Sequence, residues 1–191
     1  MPNDALLITR AVHFAAVHHK DQHRKGADHD PYMNHLAEVA AYVATADAAP
    51  DAEVIAAAYL HDTIEDTAVS HEDLVHGFGR RVADIVAEVT DDKSLPKDER
   101  KRLQIEHAPT LSREARLIKI ADKTSNVRSL VHAPPEDWPH ERLVDYVAWA
   151  RQVVDRIRGT DARLEDTFDR IAAETDRRFA DGPSSAAPRA K

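Results

Sequence analysis

Apolar residues recur along most of this chain at intervals of three and four, the spacing that places them on one face of an α-helix. The first stripe, over about residues 5–20, consists of Leu7, Ile8, Ala11, Val12 and Ala15. A second, near residues 32–46, consists of Leu36, Val39, Ala40 and Val43. The most regular one, over residues 140–158, consists of Leu143, Val147, Ala150, Val154 and Ile157. Further helices are predicted over 52–62, 71–76, 80–89, 98–107, 113–131 and from about 160. Since no alternating strand pattern of useful length is present, the sequence predicts an all-α fold.

Helix breakers separate these stripes and suggest how the domain is organised. Pro50, Pro109 and the Pro134-Pro135 pair interrupt the helical pattern, and residues 21–31 and 90–97 are predicted to be loops. A chain of 191 residues has the size of one domain. We therefore expect residues 1–180 to form one helical bundle with a metal site between its central helices. The segment 181–191, rich in Gly, Pro, Ser and Ala, is expected to be a disordered tail.

Composition narrows the classes of function. With 26 Lys and Arg against 34 Asp and Glu, the net charge is −8, so we expect neither nucleic acid nor an anionic membrane as a partner. The chain contains no cysteine, which excludes disulfides, thiolate metal sites and Cys nucleophiles. No apolar run approaches a membrane span, and the start lacks the features of a signal peptide. A cytoplasmic protein is the default expectation, and its oligomeric state stays open.

The chain is organised around the segment His61-Asp62-Thr63-Ile64-Glu65-Asp66, which follows the apolar run 54–60. On a continuous helix the four ionisable side chains fall within roughly 140° of arc, so all of them can face one cavity. An imidazole and a carboxylate side by side are suitable ligands for a divalent metal. The Glu65-Asp66 pair, one turn on, would then lie beside the metal. A His-Asp dipeptide alone fits a solvated helical turn equally well.

Two other segments supply residues that complete a metal set. His35 lies at the edge of the apolar face of its helix, and Asp122 interrupts the apolar run 117–121. A carboxylate in that position is costly unless it is paired or bound to metal. Asn126 follows Asp122 by one helical turn and can orient a ligand or substrate. His35, His61, Asp62 and Asp122 together suit Mn²⁺, Fe²⁺ or Zn²⁺ better than Ca²⁺. Taken singly, His35 and Asp122 also fit structural roles.

Basic clusters near these segments suit an anionic substrate. The first is Arg24-Lys25, and the second is Lys97 with Arg100-Lys101-Arg102. Arg and Lys bind phosphate through charge-assisted hydrogen bonds, although any one of these residues also fits ordinary surface charge. Tyr32 and Tyr146 can contact a base or sugar, or pack. Because the chain has no phosphate-binding Gly-rich loop, phosphate chemistry must use a metal and side chains.

Five segments, in this order, resemble the hydrolase domain of the RelA/SpoT family within the HD superfamily of metal-dependent phosphohydrolases. They are His23-Arg24-Lys25-Gly26, Pro31-Tyr32-Met33-Asn34-His35, His61 to Thr67, Leu95 to Gln104, and Ile120 to Asn126. The resemblance covers about residues 5–175 and is strongest to stand-alone small alarmone hydrolases, which have no synthetase. One departure is Leu36, where the family often has Pro after the His.

The resemblance implies a role for each matching residue. His35, His61, Asp62 and Asp122 would bind Mn²⁺, Glu65 and Asp66 would be the catalytic pair, and Asn126 would support the substrate. The residues implied for substrate binding are Arg24, Lys25, Lys97, Arg102 and Tyr146. The implied activity is Mn²⁺-dependent removal of the 3′-pyrophosphate of ppGpp or pppGpp, leaving GDP or GTP. The alternatives are an HD phosphohydrolase acting on another nucleotide, such as a dNTP or NADPH, and a non-catalytic nucleotide-binding regulator.

Overall fold

The computed structural model describes residues 2–26 and 28–180, which fold as helices joined by short loops. The α-helices are α1 (Pro2–His18), α2 (Met33–Ala44), α3 (Ala52–Leu60), α4 (Thr63–Asp66), α5 (His71–Phe78), α6 (Arg80–Val89), α7 (Lys97–His107), α8 (Arg113–His132), α9 (His140–Asp155) and α10 (Ala162–Ala180). A short 3₁₀ helix, Ala108–Thr110, precedes α8. Over the described residues, extended pairing is limited to one isolated bridge between His23 and Pro31. The prediction of an all-α bundle is confirmed.

Side-chain caps fix the starts of the two helices that lead into the candidate metal site. Asp51 accepts hydrogen bonds from the backbone N–H groups of Glu53 and Val54, both at 3.1 Å, at the start of α3. Ser112 accepts one from the N–H of Ala115 at 3.1 Å at the start of α8. These caps satisfy amides that a helix leaves without partners.

Helix α8 is the structural centre of the molecule because it contributes to two hydrophobic clusters. Ala115, Ile118 and Ala121 pack into the first cluster, whose other residues come mainly from α1, α2, α3, α5 and α6. Ile120 and Val127 pack into the second cluster, with residues of α9 and α10. Buried on both sides, α8 forms a wall common to the two clusters.

The structure differs from the predicted central helix at the His-Asp dipeptide. The predicted end at about residue 62 is close to the observed one, since α3 ends at Leu60, but a separate short helix, α4, begins at Thr63. Asp62 between them has φ −98° and ψ 0°, a sparsely populated conformation in which active-site residues are often found. Glu65 and Asp66 therefore lie on α4 rather than on the helix that carries the apolar run 54–60.

Two further expectations concern the C-terminal tail and membrane-spanning segments. The expected tail, 181–191, lies outside the described residues. Among the helices that are described, none combines the length and apolar character needed to cross a bilayer.

Candidate metal and phosphate site

Three helical segments bring together the four side chains expected to bind metal. His35 comes from α2, His61 and Asp62 from the α3–α4 bend, and Asp122 from α8. One ligand atom from each of His35, His61 and Asp62 lies within 4.8 Å of the others. Asp122 lies outside this group of three but close to it, with its Oδ1 3.4 Å from Nε2 of His35 and 3.9 Å from Nε2 of His61. Two imidazoles and one carboxylate thus form a compact group, and a second carboxylate lies within 4 Å of both imidazoles.

The hydrogen bonding of His61 shows that the cluster fits a cation. The ring is buried, and its Nδ1 lies 2.9 Å from the carbonyl oxygen of Ala58, which can only accept. Nδ1 therefore carries the hydrogen, while the buried Nε2 has no hydrogen-bond partner and lies 3.1 Å from Oδ2 of Asp62. Burial opposes the imidazolium, yet Asp62 and Asp122 raise the pKa of His61 to about 9. The cluster attracts positive charge, and a divalent cation competes with a proton for this nitrogen.

Neighbouring donors keep the two aspartates charged and oriented. The hydroxyl of Tyr32 donates to Oδ2 of Asp62 at 2.6 Å. Lys123 donates to Oδ2 of Asp122 at 2.8 Å, and the amide of Asn126 donates to Oδ1 at 2.6 Å. Burial by itself raises the pKa of Asp122, but Lys123 and the two histidines hold that pKa far below its ordinary value. The pKa of Asp62 is likewise held low, against burial, by the neighbouring imidazoles.

Glu65 borders the metal cluster and has an unusual protonation equilibrium. It lines a cavity of about 170 Å³ together with His61, Asp62 and Asp122. Burial, reinforced by the negative charges of Asp91, Asp62 and Asp66, raises the pKa of Glu65 to about 7. Such a carboxyl group can accept and return a proton near neutral pH.

A larger, basic cavity adjoins the first. It measures about 630 Å³, and Tyr32, Glu65, Asn126 and Tyr146 line both cavities. Its basic lining residues are Arg24, Lys25, Lys93 and Arg100. Arg24 donates to Oδ1 of Asn126 at 3.1 Å and to the hydroxyl of Ser129 at 3.0 Å. The volume and charge suit a nucleotide phosphate group next to the metal cluster.

Most of the residues expected to bind substrate line this larger cavity. Arg24, Lys25, Asn126 and Tyr146 do so, as does Asp66, which forms an ion pair with Lys93. Lys97 lies at the rim: its Nζ is 5.6 Å from the ring centroid of Trp138, a lining residue.

Arg102 is not brought to either cavity. It lies on the exposed side of α7 and pairs there with Glu99 and Glu106. Arg100 occupies the expected place, with its guanidinium 3.8 Å from Oε1 of Glu65. Side chains two positions apart on an α-helix point in directions that differ by about 200° around the helix axis. Arg100 and Arg102 therefore cannot face the same cavity.

Sequence reasoning missed other contacts that form only when the helices meet. The roles of Lys93 and Lys123, and the bond from Tyr32 to Asp62, have no signal in local spacing. The sequence did contain a signal that Arg100, rather than Arg102, faces the cavity. Lys97, Arg100 and Gln104 share one face of the predicted helix at i, i+3 and i+7.

Comparison with known proteins assigns the chain and its fold to a defined family. The HD domain family model matches residues 11–146. The guanosine-3′,5′-bis(diphosphate) 3′-pyrophosphohydrolase MESH1 of Xenopus tropicalis is 47% identical over 171 residues, covering 90% of this chain and 96% of its own. The human MESH1 is 44% identical, covering 88% and 94% of the two chains. A solved structure described as a metazoan ortholog of SpoT that hydrolyzes ppGpp superposes with a TM-score of 0.84 at 45% identity, covering 88% of this chain and 94% of that one.

Proposed function

Because this chain belongs to the HD domain family, and within it to the group of the MESH1 pyrophosphohydrolases, we propose that it hydrolyses the 3′-pyrophosphate of ppGpp and pppGpp. The products are GDP or GTP and pyrophosphate, so the reaction removes a starvation signal. The observation that carries the proposal is the cluster of two histidines and two aspartates beside Glu65, at the junction with a basic cavity.

We further propose Mn²⁺ as the resident ion, held by His35, His61, Asp62 and Asp122. The mixed imidazole and carboxylate donors, one of them an unpartnered buried nitrogen, support a borderline divalent metal over Ca²⁺. Such an ion polarises the phosphate and lowers the pKa of water.

Glu65 acts in this proposal as the proton carrier. Its carboxylate takes a proton from the attacking water as the water oxygen bonds to the phosphorus nearer the ribose. The bond from that phosphorus to the 3′ oxygen breaks, and Glu65 returns the proton to this oxygen. A pKa near 7 suits both transfers. Asp66, paired with Lys93, lies next to Glu65 on the substrate side.

The remaining residues hold the substrate. Arg100 and Lys93, facing Glu65 and Asp66, are placed to neutralise the leaving pyrophosphate. Arg24 and Asn126, hydrogen-bonded to each other, connect the nucleotide cavity to Asp122. Lys25, Lys97 and Tyr146 complete the proposed nucleotide contacts.

The test is product analysis with purified protein that has been stripped of metal and reloaded with Mn²⁺. The substrates are ppGpp and pppGpp, with dNTPs and NADPH as competing candidates, and products are separated by ion exchange. We expect GDP and intact pyrophosphate in equal amounts from ppGpp, with turnover lost in Glu65→Gln. Glu72→Gln, the same change on the exposed side of α5, serves as the control and should keep activity. Orthophosphate from NADPH or a dNTP, with ppGpp untouched, would overturn the assigned substrate.

A further inference from the structure

Behind the metal cluster, a chain of hydrogen bonds runs from His35 to the edge of the molecule. Nδ1 of His35 lies 2.9 Å from the hydroxyl of Ser125, which lies 2.7 Å from Oε2 of Glu38. The other carboxylate oxygen of Glu38 accepts a bond from Arg128 at 2.6 Å. Ser125 is fully buried, whereas Arg128 is exposed. The chain therefore connects a buried ligand to a surface ion pair.

The number of hydrogens in this chain fixes the direction of every bond. The hydroxyl of Ser125 has one hydrogen and two neighbours, His35 and Glu38. Ser125 donates this hydrogen to Oε2 of Glu38, whose other carboxyl oxygen accepts from Arg128. The serine oxygen is then left to accept from His35, which places the ring hydrogen on Nδ1. The lone pair of His35 is at Nε2, the nitrogen that faces Asp62 and Asp122.

The two histidines reach the same tautomer by different means. His61 is fixed by the backbone carbonyl of Ala58, which no substitution removes. His35 depends on two side chains, Ser125 and Glu38, each one helical turn beyond a metal-cluster residue on its own helix. The tautomer of His35 therefore also depends on the docking of α2 against α8.

From this geometry we propose that Ser125 and Glu38 are positioning residues that hold Nε2 of His35 free for a divalent cation and so set the metal affinity of the site. The proposal rests on the metal centre of the proposed function. It concerns ion binding rather than turnover, and it is tested without nucleotide.

The experiment measures the dissociation constant for Mn²⁺ alone, from the electron paramagnetic resonance signal of the free ion. Ser125→Ala leaves the Nδ1 hydrogen of His35 without an acceptor and should weaken binding by about tenfold to a hundredfold. Glu38→Ala frees the serine hydrogen for Nδ1 and should also weaken binding. Glu38→Gln keeps an acceptor oxygen, so its affinity should lie between Glu38→Ala and wild type.

The matched control is Thr124→Val, on the same turn of α8. Thr124 is equally buried, but its hydroxyl bonds only to the carbonyl oxygen of Ile120 at 2.7 Å, within its own helix. The dissociation constant of Thr124→Val for Mn²⁺ should stay within about twofold of the wild-type value.

Wild-type affinity in a folded Ser125→Ala protein overturns the proposal, as does an equal loss in Thr124→Val. Should circular dichroism show that Ser125→Ala does not fold, wild-type affinity in Glu38→Ala overturns it instead. Wild-type protein that binds Mn²⁺ but leaves ppGpp intact contradicts the proposed substrate and leaves this inference standing.

Discussion

At the scale of single residues, Glu65 connects the electrostatics of the site to its pH dependence. A general base must be unprotonated, and burial raises the pKa of Glu65 to about 7. The value of about 7 applies to the metal-free site, and the positive charge of Mn²⁺ lowers it, so at saturating Mn²⁺ we expect the rate of ppGpp hydrolysis to rise with an inflection between the ordinary value of 4.5 and about 7. A pH–rate profile checks this expectation. An inflection above pH 7 would show that a group other than Glu65 controls the rise in rate.

The same carboxyl group is expected to lower the stability of the folded protein. The pKa of Glu65 is higher in the folded protein than in the unfolded one, so the folded state favours the protonated carboxyl group. The free energy of unfolding is therefore highest below pH 4.5 and falls as the pH rises through about 7, where Glu65 becomes charged in its buried position. In chelator at pH 8, Glu65→Gln should melt at a higher temperature than wild type, and the difference should shrink at pH 5. Thermal melts at both values measure this effect, with Glu72→Gln as the exposed control. A lower melting temperature for Glu65→Gln at pH 8 would contradict the expectation.

Arg100 and Arg102 give a test in which one substitution is compared at two neighbouring positions. Arg100→Ala removes a cation that faces Glu65 in the substrate cavity, and we expect kcat/KM for ppGpp to fall at least about tenfold. Arg102→Ala removes only exposed pairs on the far side of α7 and should change kcat/KM by less than about threefold. Steady-state kinetics distinguish the two. The reverse order would favour the role that the family resemblance implies for Arg102.

At the scale of secondary-structure elements, the loop before α2 approaches the end of α8 so closely that only glycine fits. A Cβ at Gly26 would lie 2.3 Å from the carbonyl oxygen of Ala133. Gly26→Ala should destabilise the protein by about 1–3 kcal/mol and raise KM, because Arg24 and Lys25 belong to this loop.

Chemical denaturation and steady-state kinetics measure the two effects of Gly26→Ala. The control is Gly77→Ala in α5, where a Cβ meets no atom within 4 Å, and this change should be neutral or stabilising. Equal stability of the two variants would mean that the loop containing residue 26 can move away from Ala133 without lowering the free energy of unfolding.

The sequence predicts a structural feature well when residues close together in the chain determine it, and poorly when contacts between distant segments determine it. The apolar stripe of α9 and the caps at Asp51 and Ser112 are local, and the helices form as predicted. The bend at Asp62 falls among residues of weak helix propensity, His61, Asp62 and Thr63, but nothing in the spacing of the apolar residues indicates its position. The Ser125–Glu38 contact joins two helices far apart in sequence, and neither residue has a pattern that indicates it.

At the scale of the whole molecule, the metal cluster joins α2, the α3–α4 bend and α8. An ion that binds the folded state but not the unfolded one raises stability with concentration. We expect the melting temperature to rise as Mn²⁺ is added to stripped protein and to return to its starting value with chelator. Asp122→Ala should abolish the shift, and an equal shift in that variant would place the ion elsewhere. Scanning calorimetry measures both proteins.

The position of α8 along the chain also governs when the site can form during synthesis. His35, His61 and Asp62 lie in the first third of the sequence, whereas Asp122 lies in α8, the last helix to contribute to the first hydrophobic cluster. A ribosome therefore exposes three donors long before the fourth, and the emerging chain cannot retain the ion until α8 has left the exit tunnel. A nascent chain stalled after α6 should bind Mn²⁺ no more tightly than Asp122→Ala. We therefore expect metal binding during synthesis to follow the docking of α8.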